Sequence, residues 1–90
     1  MNWKLAYAEK ALRQLRKMDA GQRAIRLSWM DRRVDGCENP RAFGKGLTAN
    51  RSGMWRYRIG DYRVLCEIRD DELTVLAIEI GHRSKVYASE

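Results

Sequence analysis

Residues 54–87 read MWRYRIGDYRVLCEIRDDELTVLAIEIGHRSKVY, and this stretch decides the fold of the 90-residue chain. Two runs rich in aromatic and β-branched residues flank Gly60-Asp61, and a third follows the acidic segment 70–72. Such runs, bounded by turn residues, are typical of β-strands. The stretch therefore predicts three consecutive antiparallel strands joined by short turns.

The two-residue connection at Gly60-Asp61 sets the pairing of the first two strands. Glycine at the first central position suits a tight hairpin turn, so Ile59 is expected to pair with Tyr62 and Arg58 with Arg63. Successive strand residues point to opposite faces. The face predicted to cover the core carries Trp55, Tyr57, Ile59, Tyr62, Val64, Cys66 and Ile68. The opposite face carries Met54, Arg56, Arg58, Arg63, Leu65 and Glu67.

Three arginines gather on this second face. Arg58 directly opposite Arg63 is destabilising unless something negative lies between them, because like charges across a strand pair repel each other. Arg56 lies one pleat away along the strand. A guanidinium group binds phosphate through its planar array of donors. The hairpin therefore predicts a phosphate-binding face.

The last strand leaves a second role open for Arg63. The more apolar set in this strand is Leu76, Ile78 and Ile80. A three-residue turn over 70–72 is expected to point this set at the core and to place Glu79 opposite Arg63. Arg63 can then be an ion-pair partner, a phosphate ligand, or both.

The N-terminal part of the chain predicts a strand followed by a helix. Trp3, Leu5 and Tyr7 alternate with polar or small residues, which is the period-two pattern of an amphipathic strand. Apolar residues recur at helical spacing from Ala8, so a first helix is expected to end near Met18.

A second helix is predicted from about Ala20 to Asp35. Asp19 followed by Gln22 resembles an N-cap with its return partner, and Gly36 is a stop signal. One apolar stripe carries Ala24, Leu27, Met30 and Val34, and a second carries Ile25 and Trp29. The second stripe either packs against the neighbouring helix or is left for a partner protein.

Size and charge restrict the class of protein. Ninety residues form one small domain, 1–90, and the predicted order βααβββ makes it an α+β domain. Eighteen Lys and Arg against twelve Asp and Glu give a net charge of +6, which favours nucleic acid or an acidic protein as partner. No membrane span or signal peptide is recognised, so a cytoplasmic protein is expected. The two cysteines, Cys37 and Cys66, lack metal-ligand spacing, and Cys66 is expected in the core.

Two further regions carry candidate functional residues. Residues 36–53 are expected to form a connecting loop in which Arg41, Lys45 and Arg51 either follow an RNA backbone or are simply solvated. The C-terminal end carries His82, Arg83 and Tyr87. His82 is the only histidine. Histidine is the side chain best suited to exchange a proton near neutral pH, so His82 is a candidate for proton transfer beside the arginine-lined face.

These residues resemble the RelE-like toxins of bacterial toxin–antitoxin modules, within the RelE/ParE superfamily. The resemblance rests on WRYRIGDYRVLCEI at 55–68 and IEIGHRSKVY at 78–87, and the order of elements matches over nearly the whole chain. It implies an antiparallel sheet with two helices packed on one face and a concave basic face opposite. It also implies metal-independent cleavage of mRNA at the ribosomal A site, no cofactor, and a cognate antitoxin, expected to be acidic, that wraps around the toxin.

The resemblance also implies roles for single residues. Arg56 and Arg58 match basic strand residues that hold the RNA backbone, and Arg63 matches an arginine that contacts the scissile phosphate. Arg83, or else His82, stands where a basic residue assists the leaving group. Tyr87 matches a C-terminal tyrosine that activates the attacking hydroxyl. The chain departs from the family pattern by having arginines in place of lysines at 56 and 58, and by a shorter segment after Gly81.

The resulting hypothesis is an endoribonuclease in which Arg58 and Arg63 stabilise charge, Arg56 holds substrate and Tyr87 works with His82 or Arg83 in proton transfer. One rival is a ParE-like toxin that inhibits DNA gyrase without nuclease chemistry. Another is an inactive module that binds an antitoxin or operator DNA. The helices carry basic residues that are either solvated or bind an acidic antitoxin, namely Arg13, Arg16, Lys17, Arg23 and Arg26.

Overall fold

The computed structural model describes residues 2–47 and 53–82. Within them, two helices and a five-stranded sheet form an α+β fold, as predicted. In chain order the elements are β1 (Lys4–Tyr7), α1 (Glu9–Lys17), α2 (Ala20–Arg33), a short 3-10 helix (Pro40–Ala42), β2 (Lys45–Gly46), β3 (Met54–Ile59), β4 (Tyr62–Arg69) and β5 (Thr74–His82). The predicted elements are all present, and β2 is an additional strand in the segment predicted as a loop.

The strands lie in the order β1-β5-β4-β3-β2. The predicted meander β3-β4-β5 is antiparallel and forms the centre of the sheet. β1 joins it parallel to β5, with Lys4 opposite Thr74 and Tyr7 opposite Ala77. The sheet is therefore mixed, because β1 returns to β5 through the two helices rather than through a hairpin.

The segment before β2 lies close against β3. A side chain at Gly44 would place its Cβ 2.3 Å from the backbone oxygen of Arg56, and Gly44 has a φ of +79°. Trp55 donates its indole N–H to the backbone oxygen of Phe43 at 2.6 Å. Tyr57, fully buried, donates its hydroxyl to the backbone oxygen of Pro40 at 2.6 Å. Both aromatic rings thus hold the connecting segment against the sheet, on the face predicted to be the core face.

Local signals in the sequence determine the helix boundaries. The carboxylate of Asp19 caps α2 by accepting from the backbone N–H of Gln22 at 2.8 Å. The side-chain oxygen of Gln22 accepts from Arg26 at 2.5 Å. α2 ends at Arg33, two residues before the predicted end at Asp35, and the chain turns through 34–36.

The hairpin has the predicted register. Ile59 lies opposite Tyr62 and Arg58 opposite Arg63. Gly60, at the first central position of the turn, has a φ of +62°, a left-handed conformation that favours glycine. The two faces of β3 and β4 are consequently assigned as the sequence predicts.

The register of β5 differs from the prediction. The connection between β4 and β5 has four residues rather than three, because Leu73 adopts a φ of 50° and packs against the core before the strand begins. The additional residue reverses the parity of the strand. Val75 and Ala77 are therefore buried where Leu76 was expected to be.

A β-bulge then reverses the parity again. Cys66 lies opposite Ala77 but Leu65 lies opposite Glu79, so Ile78 is the extra residue in β5. Ile80 returns to the core, as predicted. The prediction that Glu79 lies opposite Arg63 is wrong, since Gly81 occupies that position.

Both helices pack on the face of the sheet that carries Tyr57, Val64 and Cys66. The buried cluster contains Trp3, Ala11, Leu15, Met30, Val34, Tyr57, Ile59, Val64, Cys66, Ile68, Val75, Ala77 and Ile80. The second stripe of α2 divides, since the Trp29 ring packs against Phe43 and Tyr57 while Ile25 is 54% exposed. No helix in the part of the chain covered by the structure is long and apolar enough to cross a membrane.

Candidate nucleic-acid interface

Four cations share the face of the sheet turned away from the helices. Arg58 lies directly opposite Arg63, and Lys45 of β2 lies opposite Arg56. Paired residues point to the same face, and alternate residues along β3 lie roughly 6.5 Å apart. We call Lys45, Arg56, Arg58 and Arg63 the basic sheet face. The structure thus brings together four of the predicted site residues.

Two acidic residues of β4 and β5 form salt bridges with cations outside this face. Glu67 is in a salt bridge with Arg69. Glu79 lies 3.4 Å from the ammonium of Lys10, at the edge of the sheet covered by α1. The members of the basic sheet face are exposed or half-buried, and all four carry a positive charge. Such a surface attracts a polyanion.

His82 lies on the opposite face of the sheet. It pairs with Tyr62 across β4 and β5, and their ring centroids are 5.9 Å apart at an interplanar angle of 76°. It borders a cleft of about 360 Å³ between β5 and the junction of α1 and α2. The cleft is lined by Gln14, Lys17, Met18, Asp19, Tyr62, Glu79, Ile80, Gly81 and His82. The residue of β5 that lies opposite Arg63 is Gly81, not His82. The structure therefore does not bring the His82 side chain to Arg58 and Arg63.

Arg41 is engaged in an ion pair at the far end of β4. Its guanidinium donates two hydrogen bonds of 2.9 Å to the carboxylate of Asp70. This contact raises the pKa of Arg41 and lowers the pKa of Asp70. Asp70 follows the end of β4, roughly 20 Å along the strand from Arg63. The structure therefore separates Arg41 from the basic sheet face, whereas it places Lys45 within it.

The remaining predicted site residues, Arg51, Arg83 and Tyr87, lie outside the described residues. Their roles stay predictions. Within the ranges that the structure describes, no group of three His, Cys, Asp or Glu side chains is placed to hold a metal ion. Burial raises the pKa of the Cys66 thiol and of the Tyr57 phenol, so both groups stay protonated at neutral pH.

Arg26 is the residue whose position the sequence interpretation missed. It was grouped with the exposed basic residues of the helices, but only 6% of it is exposed and its guanidinium lies 4.1 Å from the centre of the Tyr62 ring. The signal was its spacing, because Arg26, Met30 and Val34 follow one another at i, i+4 and i+8 and so share the buried face of α2. Its charge led to the prediction that Arg26 is exposed, although its position on the apolar stripe indicated burial.

Comparisons with known proteins agree with this fold. A protein-family model described as the ParE toxin of type II toxin–antitoxin systems matches residues 5–87. No curated protein sequence matches the chain at a significant level.

Solved structures resemble the chain over most of its length. The chain is similar to a structure of the toxin–antitoxin complex RelBE2 from Mycobacterium tuberculosis, with 25% identity, a TM-score of 0.77, and 92% of this chain and 100% of that chain covered. It is also similar to a free double arginine-to-alanine mutant of the E. coli toxin RelE, with 20% identity, a TM-score of 0.73, and 96% and 88% covered. The toxin of the archaeal RelE–RelB complex from Pyrococcus horikoshii gives 16% identity, a TM-score of 0.67, and 96% and 100% covered.

Proposed function

This chain belongs to the ParE toxin family of type II toxin–antitoxin systems, within the RelE/ParE superfamily, and from that premise we propose that it is an endoribonuclease that cleaves ribosome-bound mRNA and so inhibits translation. The observation that carries the proposal is the direct pairing of Arg58 with Arg63, with Lys45 and Arg56 one pleat away on the same face. This arrangement suits a bound phosphate and its neighbour along a single strand.

The chemistry asks for groups of this kind. RNA supplies its own nucleophile, so the protein aligns the 2′-hydroxyl with the phosphate and stabilises the added negative charge. The 2′-oxygen forms a bond to phosphorus as the bond from phosphorus to the 5′-oxygen breaks, which leaves a 2′,3′-cyclic phosphate and a 5′-oxygen that takes a proton from water to become a hydroxyl. We assign charge stabilisation to Arg58 and Arg63, and backbone holding to Arg56 and Lys45. No step in this scheme requires a metal ion.

Proton transfer is assigned to the C-terminal residues. Tyr87 takes the proton of the 2′-hydroxyl, which requires nearby arginines to favour its phenolate because a free tyrosine has a pKa of about 10. Arg83 stabilises the leaving oxygen by its charge, since arginine does not release a proton in this range. The His82 ring lies beside Tyr62 on the helix side of the sheet. It would therefore supply a proton only through intervening water.

The partner proposed for this toxin is a cognate antitoxin. Two of the similar structures are complexes of a toxin with its antitoxin, as their names RelBE2 and RelE–RelB state. An acidic antitoxin segment complements the basic sheet face and would compete with RNA for it. We further propose that the toxin–antitoxin complex binds operator DNA.

Primer extension of cellular mRNA after induction tests the nuclease proposal. Wild-type protein should produce cuts within coding regions, and a double variant with Arg58→Ala and Arg63→Ala should produce none. The matched control is Arg32→Ala, because Arg32 is an exposed arginine of α2 on the helix side. Intact mRNA in cells whose growth the wild-type protein arrests would rule out cleavage.

Inhibition of DNA gyrase is the second candidate, and the match to the ParE family model favours it. This activity depends on binding alone, so it needs no proton-transfer group at the end of β5. Gyrase-linked DNA breaks together with intact mRNA would establish it. Cut mRNA without such breaks would support the nuclease.

A further inference from the structure

Arg26 of α2 is a charged residue in the interior of the domain. Its exposure is 6%, and its Nη1 donates to the Gln22 side chain at 2.5 Å. Among residues 2–47 and 53–82, no carboxylate forms a salt bridge with it and no acceptor reaches its Nε. A buried charge and an unsatisfied nitrogen both destabilise a fold. Arg26 therefore stabilises the fold less than an apolar residue of similar size would at this position.

The Arg26 guanidinium lies directly beneath the hairpin turn. It stacks over the ring of Tyr62, the first residue of β4, at 4.1 Å. A Cβ at Gly60 would lie 3.3 Å from its Nη2, so the group also contacts the turn itself. A cation over an aromatic face is attracted electrostatically, and the attraction grows when water is excluded. Arg26 thus binds the end of the hairpin to α2.

Tyr62 extends this contact to the next strand. Its ring meets the ring of His82 edge-on, and the two residues are paired across β4 and β5. Arg26, Tyr62 and His82 therefore form a row that links α2, the hairpin and the end of β5. We call it the Arg26 row.

The Arg26 row lies behind the arginine pair of the basic sheet face. Tyr62 is adjacent to Arg63 in β4, and its partner Ile59 is adjacent to Arg58 in β3. The strand ends that carry the two arginines are thus held from the other side of the sheet. At its other end the Arg26 row contacts His82 in β5.

We propose that Arg26 is a positioning residue for RNA cleavage, acting through Tyr62 to fix the separation of Arg58 and Arg63. This role rests on the proposed nuclease function. Reacting groups must be placed closely, and a displacement of about 1 Å costs roughly 100-fold in rate. Since Arg26 lies on the helix side, it contributes without touching RNA.

Replacement of Arg26 by Met, with Arg32→Met as the matched control, tests this role. Methionine keeps an unbranched apolar stem while removing the charge, so the fold and its Tm should be retained. We expect kcat for cleavage of ribosome-bound mRNA to fall at least tenfold, with KM changed less than twofold, because a partial displacement of the arginine pair costs less than the roughly 100-fold loss caused by a displacement of about 1 Å. Arg26→Lys should recover part of kcat, and Arg32→Met should match wild type.

The imidazole resonances of His82 provide a second measurement, unambiguous because the chain has one histidine. They should move in Arg26→Met and stay unchanged in Arg32→Met. If Arg26→Met does not fold, Tyr62→Leu removes the same contact at a half-buried residue. This variant should give the same loss of kcat.

Two results would overturn the inference. Wild-type rates in folded Arg26→Met or Tyr62→Leu, with His82 resonances unmoved, would remove Arg26 from the reaction while leaving the nuclease proposal intact. Absence of cleavage by the wild-type protein would refute the nuclease proposal and this role with it.

Discussion

A pair of like charges stands at the centre of the basic sheet face. Like charges directly opposite each other across a strand pair repel. A phosphate placed between Arg58 and Arg63 replaces this repulsion with two attractive contacts. The register of a single hairpin therefore brings together two arginines that are five positions apart in the sequence.

The salt dependence of RNA binding should reveal the phosphate contact of Arg58. Each phosphate neutralised on a single strand contributes about 0.7 to the slope of log affinity against log salt. We expect Arg58→Ala to reduce this slope by about 0.7 and Arg32→Ala to leave it unchanged. Binding is measured with a single-stranded oligonucleotide lacking the attacking 2′-hydroxyl. An unchanged slope in Arg58→Ala would place the phosphate elsewhere.

Arg41 illustrates the opposite case, a basic residue that is engaged in an ion pair within the fold. Its two hydrogen bonds to Asp70 lower the pKa of that carboxyl below its usual 3.8. A depressed carboxyl pKa adds stability that is present above the unfolded value and is lost as the pH falls through the folded value. The Arg41–Asp70 pair therefore stabilises the fold at neutral pH and not in strong acid.

The variant Arg41→Ala should accordingly lower Tm at pH 7 by a small amount, and the difference from wild type should shrink as the pH falls below 3.8. A series of thermal melts between pH 2 and pH 7 measures this. Asp70→Asn should give the same neutral-pH loss, with no further loss in the double variant. A difference in Tm that stays constant with pH would exclude the ion pair as its cause. RNA affinity at neutral pH should not change.

At the scale of elements, β2 and the segment before it determine how far the basic sheet face extends. Lys45 reaches its place beside Arg56 only because the chain at Gly44 passes against the β3 backbone. Two aromatic side chains of β3 hold the preceding segment through hydrogen bonds to backbone oxygens. The core face of β3 thus positions a cation on its opposite face.

Replacing Gly44 with Ala should destabilise the fold more than replacing Gly36. Both glycines have a φ of +79°, so both variants incur the same backbone strain of roughly 1–2 kcal/mol. Only at Gly44 does the new Cβ meet the β3 backbone, adding about 1–3 kcal/mol of overpacking. Urea denaturation measures the difference. Gly44→Ala should also weaken RNA binding through Lys45, whereas equal losses of stability in the two variants would disprove the close contact.

On the scale of the whole molecule, the sheet separates two surfaces. The helices cover one face and bury the core, and the basic sheet face lies on the other. Exposed cations also occur on α1, where Arg13 and Arg16 lie within 4.0 Å of Glu9. Net charge alone would allow RNA to bind either surface, but Arg13 and Arg16 of α1 share the carboxylate of Glu9.

NMR titration with the same oligonucleotide should distinguish the two surfaces. Amide resonances of β2, β3 and β4 should shift on binding, while those of the exposed faces of α1 and α2 should not. Perturbations that concentrate on the helices would move the nucleic-acid interface to the opposite side. An acidic peptide with the same net charge as the oligonucleotide serves as a control for nonspecific electrostatic shifts.

The sequence by itself determined the element order, the hairpin register and the face of each β3 and β4 residue. These features follow from local rules, because period-two patterning and a glycine turn act over a few residues. The same rules placed Arg58 opposite Arg63, and Lys45 was recognised as basic without its strand being predicted.

Only the tertiary structure decided what depends on contacts distant in sequence. Leu73 takes a left-handed conformation and packs on the core, so the β4–β5 connection gains a residue, and a bulge at Ile78 reverses the parity a second time. Those two shifts put Gly81 opposite Arg63 and turn His82 toward the helices. Packing likewise buried Arg26 against the Tyr62 ring and paired Arg41 with Asp70. A long charged side chain finds its partners on whichever element the fold brings within its reach.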